Sequence, residues 1–304
     1  QPSSVLLRGA SAANTLVLID GVRMGSASLG QFDFSTIGLA GIERIEVLRG
    51  PGASVYGADA VGGVVLITTR ASAAGEGEGK GAARHRAALA AGSLSSSEAS
   101  ASTQLSQGDW TAQLQAARQA SAGVSAVRPN DRFGTYNPDA DGYRRQTLQA
   151  NSVWRPVAGH RVEGSVLHAQ LFSRYDAAEY PPPSYLPNAR GDFVTRTDTA
   201  AAQLRYDGSS GALQWRARLG RGEEDAASGA STIDRYRTTR GEAGLQMAWA
   251  WAPGQQLLAA WDQLQERVST NAYTPPGARN NDALTLAYSG QFGAVQLQLD
   301  GRED

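Results

Sequence analysis

Regular alternation of apolar and polar residues dominates the chain after residue 83. Residues 213–219 read Leu-Gln-Trp-Arg-Ala-Arg-Leu, and residues 110–116 read Trp-Thr-Ala-Gln-Leu-Gln-Ala. A period of two puts successive side chains on opposite faces of an extended backbone. The region is therefore expected to be a set of antiparallel β-strands, each with one apolar and one polar face.

About eleven segments follow this pattern. They lie at 83–92, 97–106, 109–120, 143–154, 160–172, 196–207, 212–221, 235–251, 255–267, 281–289 and 294–303. From residue 106 onward, short connections alternate with long ones, and the long connections are 121–142, 173–195, 222–234 and 268–280. Short turns at one end and long loops at the other are typical of outer-membrane β-barrels.

A soluble antiparallel sheet with one face on a core would show the same alternation. Two further features favour a transmembrane barrel. The strands are ten or more residues long, and tryptophans stand near predicted strand ends, as in an interfacial girdle: Trp110, Trp154, Trp249 and Trp251. No apolar stretch approaches the roughly 18 to 20 residues that a membrane helix needs.

The composition argues against catalysis and against nucleic-acid binding. The chain of 304 residues has no cysteine and a formal net charge of −1, and it has no run of like charges that would attract nucleic acid. Phosphate-binding, nucleophile-elbow and zinc-protease motifs are missing from the sequence. The three histidines, His85, His160 and His168, are too scattered to form a recognisable site. We predict that the protein is not an enzyme.

The first seventy residues have a different texture, with short strands separated by glycines. Asp20-Gly21 interrupts the apolar run TLVLIDGVRM and predicts a tight hairpin turn. Further strands are predicted at 41–50 and 62–70. Between them, Gly50 ends a strand, Gly57 allows a bend, and Gly62 and Gly63 allow close backbone approach.

The small, flexible stretch ASAAGEGEGKGAA that follows has the composition of a linker. The predicted organisation is therefore a small domain at 1–70, a linker at 71–82 and a sheet domain at 83–304.

The segment VLIDGVRM, followed by IERIEVLRGPGASVYGADAVGGVVLITTR, resembles the second half of the plug domain of TonB-dependent outer-membrane receptors. The resemblance implies an all-β, mainly antiparallel fold: a partial N-terminal plug with a transmembrane barrel, of which about 11 of an expected 22 strands are present. It also implies that this chain is a fragment. The charged plug residues Arg44, Glu46 and Arg49 would face the barrel wall, and the glycines Gly50, Gly57, Gly62 and Gly63 would shape the plug.

The same resemblance implies a location in the bacterial outer membrane. It also implies energy transfer from the TonB-ExbB-ExbD system of the inner membrane, through an N-terminal TonB box that this sequence does not contain. No organic cofactor is expected.

Several segments resemble the cobalamin (vitamin B12) receptors within that family, namely LLRGASAANTLVLIDGVRM, GSASLGQFDFSTI and GQFGAVQLQLDGRED. This implies active uptake of cobalamin or a related corrinoid. The ligand would meet apical plug residues expected to be exposed at a loop tip: Met24, Ser26, Ser28 and Gln31. Tyr180, Tyr185 and the intervening prolines would form a lid. The alternatives are a ferric siderophore or haem receptor and, from another class, a non-transporting outer-membrane adhesin.

Two predicted loops carry oxygen ligands suited to Ca²⁺. Asn137, Asp139 and Asp141 stand at alternate positions before Gly142. Asp-x-Asp-Gly is also an ordinary turn sequence, so the spacing alone leaves both interpretations open. The corresponding loops of the cobalamin receptors bind calcium, which implies a site completed by Tyr175, Asp176 and Asp192, with Asn188 as a further candidate. One departure is Ser125, which stands where that subgroup usually has an acidic residue.

Overall fold

The computed structural model describes residues 3–49, 60–69, 83–274 and 277–304. The first two ranges form a four-stranded sheet with the order β2-β1-β4-β3, in which β1 and β4 are parallel and the other pairs are antiparallel. We call this small domain the plug. Its strands are β1 (Thr15–Ile19), β2 (Val22–Met24), β3 (Ile42–Arg49) and β4 (Gly63–Thr69).

The local features predicted for the plug are confirmed where the structure describes them. Asp20 and Gly21 both have positive φ angles, 48° and 88°, and form the tight turn between β1 and β2. Gly63 has a φ of 146°, and a Cβ atom there would lie 2.4 Å from the carbonyl oxygen of Leu48. This is the close backbone approach that was expected. Gly50 and Gly57 lie outside the described residues.

Residues from Ala83 onward form a sheet of eleven antiparallel strands in sequential order, which confirms all eleven predicted strands. They are β5 (Ala83–Gly92), β6 (Ser96–Gln107), β7 (Trp110–Ser121), β8 (Tyr143–Trp154), β9 (His160–Arg174), β10 (Val194–Ser210), β11 (Leu213–Gly229), β12 (Ile233–Ala252), β13 (Gln255–Thr270), β14 (Arg279–Phe292) and β15 (Val295–Glu303). Each strand pairs with its neighbours in sequence. The proposed linker at 71–82 lies outside the described residues and stays a prediction.

One predicted long loop is wrong. Strands β11 and β12 continue pairing as far as Gly229 and Ile233, so only residues 230–232 connect them instead of 222–234. The added part of this hairpin is polar on both faces and is held by ion pairs such as Arg235 with Asp225, at 2.6 Å. Because neither face is apolar, the alternation that predicts a strand is missing there.

The two faces of the large sheet meet different surroundings. One face packs on the plug, and its Leu167, Ala169 and Ala201 join the plug residues of a single apolar cluster: Val17, Ile19, Val22, Met24, Phe32, Ile37, Val65 and Ile67. We call this the inner face. The outer face carries exposed apolar side chains, including Leu148 (51% exposed) and Leu219 (58%). We call these the apolar band.

Tryptophans stand near the end of the sheet that has the short turns. Trp110 of β7 lies opposite Trp154 of β8, and Trp249 contacts Trp251 at the end of β12. Half-exposed aromatics beyond an apolar band are typical of a membrane interface. Among the described residues, no helix has the length and apolar character to cross a membrane.

Candidate functional site

The apical plug segment after β2 is a compact turn. Ser26 and Gln31 form an isolated antiparallel bridge in which the Ser26 N–H donates to the Gln31 carbonyl at 2.9 Å. The Ser26 hydroxyl accepts a hydrogen bond from the N–H of Leu29 at 3.2 Å. Gly25 permits this fold, because its φ is 120° and a Cβ atom would come within 3.2 Å of the Gln31 backbone.

The expectation of four exposed apical side chains is wrong for two of them. Met24 is only 6% exposed because it belongs to the apolar cluster between the plug and the inner face of the large sheet, which we call the wall. Ser26 is 5% exposed because its hydroxyl closes the turn. Ser28 and Gln31 are half-buried. Leu29, which was not predicted as a site residue, is the prominent exposed side chain of this turn, at 54%.

Barrel strand β12 holds the apical segment through alternate residues of its inner face. Glu242 accepts a 2.7 Å hydrogen bond from the N–H of Arg23, and the Thr238 hydroxyl accepts one of 3.0 Å from the N–H of Ala27. Arg240, between them, donates to the carbonyl of Gly25. These wall residues were missed from sequence, where they read as ordinary polar positions of an alternating strand. They fix the position of the apical plug segment, which we call the apex, along strand β12.

Three of the six predicted calcium ligands meet above the sheet. Carboxylate oxygens of Asp139, Asp141 and Asp176 all lie within 4.8 Å of one another, although Asp176 follows a different strand from the other two. The Oδ1 atom of Asp141 is buried and has no hydrogen-bond partner. A buried, unpartnered carboxylate oxygen within a group of like charges is a site suited to a cation.

Asp176 also organises the loop 122–142. Its Oδ2 accepts hydrogen bonds from the Ser125 hydroxyl at 2.9 Å and from the Val127 N–H at 3.1 Å. Its Oδ1 accepts one of 3.3 Å from the N–H of Asn137. Ser125, the departure noted above, thus supplies a donor to the carboxylate group where an acidic residue would have supplied another negative charge.

Compared with a free aspartate, Asp141 lies in surroundings that disfavour its charged form. Burial raises the pKa of Asp141, and the negative charges of Asp176 and Asp139 raise that pKa further. A hydrogen bond of 2.8 Å from the N–H of Ala126 opposes the increase in the pKa. A bound divalent cation would reverse the effect of the two neighbouring charges.

The side chains of the other predicted calcium ligands are not part of the group of three carboxylates. Asn137 is connected to the group through its backbone N–H. The hydroxyl of Tyr175 forms a 2.9 Å hydrogen bond with that of Ser228 on β11. Asp192 is exposed and stands outside the group of three carboxylates. Asn188 pairs through its backbone with Glu179, which in turn accepts hydrogen bonds from the N–H and hydroxyl of Ser231.

Of the charged plug residues, Arg44 and Glu46 form a 3.0 Å ion pair on strand β3. Their side chains are 63% and 47% exposed, and Arg49 is also exposed. Strand β3 is the edge of the plug sheet, and the strongest contacts between the described plug and wall involve other elements, chiefly β2. The predicted contact of these charges with a barrel wall stays a prediction.

Comparisons with known proteins agree with this architecture. The sequence model of the TonB-dependent receptor plug domain matches residues 1–64. A vitamin B12 transporter, BtuB, of Photobacterium profundum is 55% identical over 69 residues, which are 23% of this chain and 11% of the relative. BtuB of Vibrio vulnificus is 52% identical over the same length and shares. The matched part is thus a small fraction of either relative.

The fold of the whole chain is also that of a known structure. The FrpB iron transporter of Neisseria meningitidis (F3-3 variant) superposes with a TM-score of 0.74 at 13% identity. The superposition covers 97% of this chain and 52% of that structure, so the chain spans about half of such a receptor. At this identity the likeness concerns the fold alone. In its plug sequence, plug fold and half-barrel of eleven strands, the chain is similar to the TonB-dependent receptors of the bacterial outer membrane.

Proposed function

We propose that this receptor takes up cobalamin or a related corrinoid across the outer membrane, driven by the TonB-ExbB-ExbD system. The observation that carries the proposal is the identity of 55% and 52% with two vitamin B12 transporters over 69 residues. Identity at this level is well above the 13% that the structural relative shows over nearly the whole chain.

The apex is built to present a fixed surface to a ligand. Hydrogen bonds to Thr238, Arg240 and Glu242 hold the backbone of residues 23–27, so little conformational entropy would be lost when a ligand binds there. Leu29 offers an apolar contact, and the half-buried Gln31 offers a polar group beside it, whereas the Ser28 hydroxyl is buried. A corrinoid is large and amphipathic, and it fits a surface of this mixed character.

We further propose that Ca²⁺ binds to Asp139, Asp141 and Asp176. Calcium takes six to eight oxygen ligands, so backbone or amide oxygens and water would complete the shell. The ion would neutralise three carboxylates that otherwise repel one another. Since Asp176 also accepts hydrogen bonds from the Ser125 hydroxyl and the Val127 N–H, ion binding would order the loop 122–142.

Transport itself requires no bond in the ligand to change. The energy comes from outside the chain, through TonB acting on the plug, and the hydrogen bonds between the plug and β12 are among the contacts that must yield. A ferric siderophore or haem is the alternative cargo, and an adhesin without transport is the alternative from another class. His160 and His168 both lie within strand β9 and not on the apical segment or a long loop, which does not favour haem ligation.

Calorimetric titration of cyanocobalamin into the complete receptor, with calcium and again with chelator, tests both proposals. We expect tight binding that chelation weakens. The Asp139→Asn variant should bind the corrinoid like the chelated protein, because the substitution removes one of the three carboxylates that would hold the ion. Asp192→Asn is the matched control, since it removes the same charge outside the carboxylate group.

The outcomes separate the two proposals. If neither chelation nor Asp139→Asn changes the affinity for the corrinoid, the proposed ligand is supported and the calcium site is contradicted. Failure to bind corrinoid with or without calcium would contradict the cargo, and titration with ferric siderophores and haem would follow. Tight binding without TonB-dependent uptake in cells would support an adhesin.

A further inference from the structure

Three arginines occupy the outer face of the large sheet, on the side of the long loops. Arg118 lies on β7, Arg144 on β8 and Arg196 on β10, and all three are exposed. Each lies an even number of positions along its own strand from an exposed outer-face leucine: Leu114, Leu148 and Leu204, respectively. Since side chains alternate between faces, the arginines continue the outer face just beyond the apolar band.

Phe172 of β9 joins two of these arginines into one group. Arg144, Phe172 and Arg196 are directly opposite one another on adjacent strands. The guanidinium carbons of Arg144 and Arg196 lie 5.9 and 5.7 Å from the centre of the phenyl ring, one from each side. Arg118 lies opposite Gln146, the next outer-face residue of β8. We call Arg118, Arg144 and Arg196 the outer arginine cluster.

The outer arginine cluster has no anionic partner in the part of the chain that the structure describes. Two other arginines on the outer face do: Arg237 pairs with Glu223 at 2.6 Å, and Arg235 pairs with Asp225. The outer-face carboxylate of Asp198, two residues from Arg196 on β10, instead interacts with Gln170 at 2.7 Å and with His168 at 3.7 Å. Positive charge thus remains uncompensated at the boundary of the apolar band.

An apolar groove crosses strands β6 to β11 on the outer face, on the short-turn side of the outer arginine cluster. Its walls include Leu114, Val166, Leu204 and Leu219, which are exposed on the outer face. Leu114 and Leu204 belong to the same strands as Arg118 and Arg196. A molecule with a negatively charged head and apolar tails would therefore meet the arginines and the groove at the same time.

We propose that the outer arginine cluster binds the phosphate groups of an anionic lipid in the extracellular leaflet, with the acyl chains extending over the outer face into the apolar groove. Arginine suits this role because its planar donors match phosphate oxygens in pairs. Packing against Phe172 holds two guanidinium groups in place, so less side-chain freedom is lost on binding. The cluster fixes the depth of the barrel and gives it a preferred lipid neighbour.

The test uses the complete receptor, extracted from its own outer membrane in mild detergent. Native mass spectrometry would measure the phosphorylated lipid that stays bound. For the double variant Arg144→Gln/Arg196→Gln we expect retention to fall by about tenfold or more, because charge-assisted hydrogen bonds are lost with both guanidinium groups. The corresponding double lysine variant should recover part of the retention, since lysine keeps the charge without the paired geometry.

Arg128→Gln/Arg132→Gln is the matched control. It removes two positive charges from the loop 122–142, including Arg132, which stacks on Phe133 at 4.8 Å in the same way. It should retain lipid like the wild type. Equal retention by the cluster variant and the wild type would overturn the proposal, and so would an equal loss in the loop control, which would show that only net charge matters.

A second measurement identifies the source of the phosphate. Delipidated receptor would be titrated with inorganic phosphate and with the anionic lipid in detergent. Binding of the lipid but not of phosphate alone supports a lipid site. Equal binding of both would overturn it in favour of free phosphate. Circular dichroism of each variant would verify that the barrel is folded before retention is compared.

Discussion

Asn151 on barrel strand β8 donates a 2.7 Å hydrogen bond to the hydroxyl of Thr69, the last residue of plug strand β4. The same hydroxyl donates to Asp20 at 2.8 Å, and the N–H of Thr69 donates to the other oxygen of that carboxylate, also at 2.8 Å. Thr69 is 1% exposed. One buried hydroxyl thus connects the first hairpin turn of the plug, the end of the plug and the wall.

We expect Thr69→Val to destabilise the plug by about 1 to 3 kcal/mol, because it removes the hydroxyl that joins Oδ2 of Asp20 to the side-chain amide of Asn151. Thr69→Ser keeps the hydroxyl and should have a smaller effect. Hydrogen exchange of the β1 and β4 amides in the folded receptor measures the free energy of local opening. Unchanged protection in the valine variant would show that the hydroxyl does not hold the plug to the wall.

The plug should become more stable on mild acidification through Asp20. Burial raises the pKa of this carboxyl above its ordinary value, although hydrogen bonds from Thr69 oppose the change. Between the ordinary pKa and the raised one, the folded state binds more protons than the unfolded state, so the free energy of unfolding increases as the pH falls through this window. Denaturant titrations of the wild type and Asp20→Asn across the window measure this. In Asp20→Asn, the free energy of unfolding should depend less on pH within this window. The same pH dependence in the variant and the wild type would show that Asp20 is not the group responsible.

Two glycines on adjacent barrel strands allow a matched test of plug packing. A Cβ atom on Gly222 of β11 would lie 2.8 Å from the carbonyl oxygen of Arg23 and 3.2 Å from the sulfur of Met24. A Cβ atom on Gly241 of β12 would meet nothing within 4 Å. We expect Gly222→Ala to cost about 1 to 3 kcal/mol by forcing β2 away from the wall.

Gly241→Ala should leave plug stability nearly unchanged. Protease susceptibility of the plug, together with its unfolding midpoint in denaturant, would show the difference between the two variants. Similar behaviour of both would mean that β2 adjusts to the added methyl group without loss of packing.

The strands of the barrel were predictable because each has two faces in different surroundings. The inner face meets the plug and the outer face carries the apolar band, so polarity alternates at every residue. The same reasoning fails at the tip of the β11–β12 hairpin, where Asp225 and Arg235 pair outside the band and both faces are polar. A strand without an apolar face leaves little signal in a single sequence.

The acidic site was predictable in part for a similar local reason. Asp139 and Asp141 are spaced by two, so their carboxylates can share one side of a loop. Contacts between distant segments were not predictable: the Arg23 N–H meets Glu242 across 219 residues of sequence. Nothing near Glu242 in the chain distinguishes it from other inward polar residues, and the burial of Met24 follows from the same contact between β2 and the wall.

The contact between Glu179 and Ser231 should hold the tip of the β11–β12 hairpin near the loop 175–193. Hydrogen bonds from the hydroxyl and N–H of Ser231 lower the pKa of Glu179. The contact is therefore present above the ordinary pKa of a glutamate and is lost as the pH falls through the lowered value. We expect Ser231→Ala to increase hydrogen exchange at 229–233 at neutral pH, whereas Ser231→Thr, which keeps the hydroxyl, should not. Equal exchange in both variants and the wild type would contradict this role.

Calcium binding to the three carboxylates should weaken on acidification and should release protons. Burial, followed by the charges of Asp176 and Asp139, raises the pKa of Asp141, so an arriving cation must displace a proton over a range of pH above the ordinary pKa. Calorimetry in two buffers of different ionisation enthalpy would measure the protons released. Asp139→Asn removes one of the neighbouring charges, which lowers the pKa of Asp141 and moves the pH dependence to more acidic values while weakening the affinity. Asp192→Asn should behave like the wild type, and calcium affinity that does not change with pH would show that Asp141 is not a ligand.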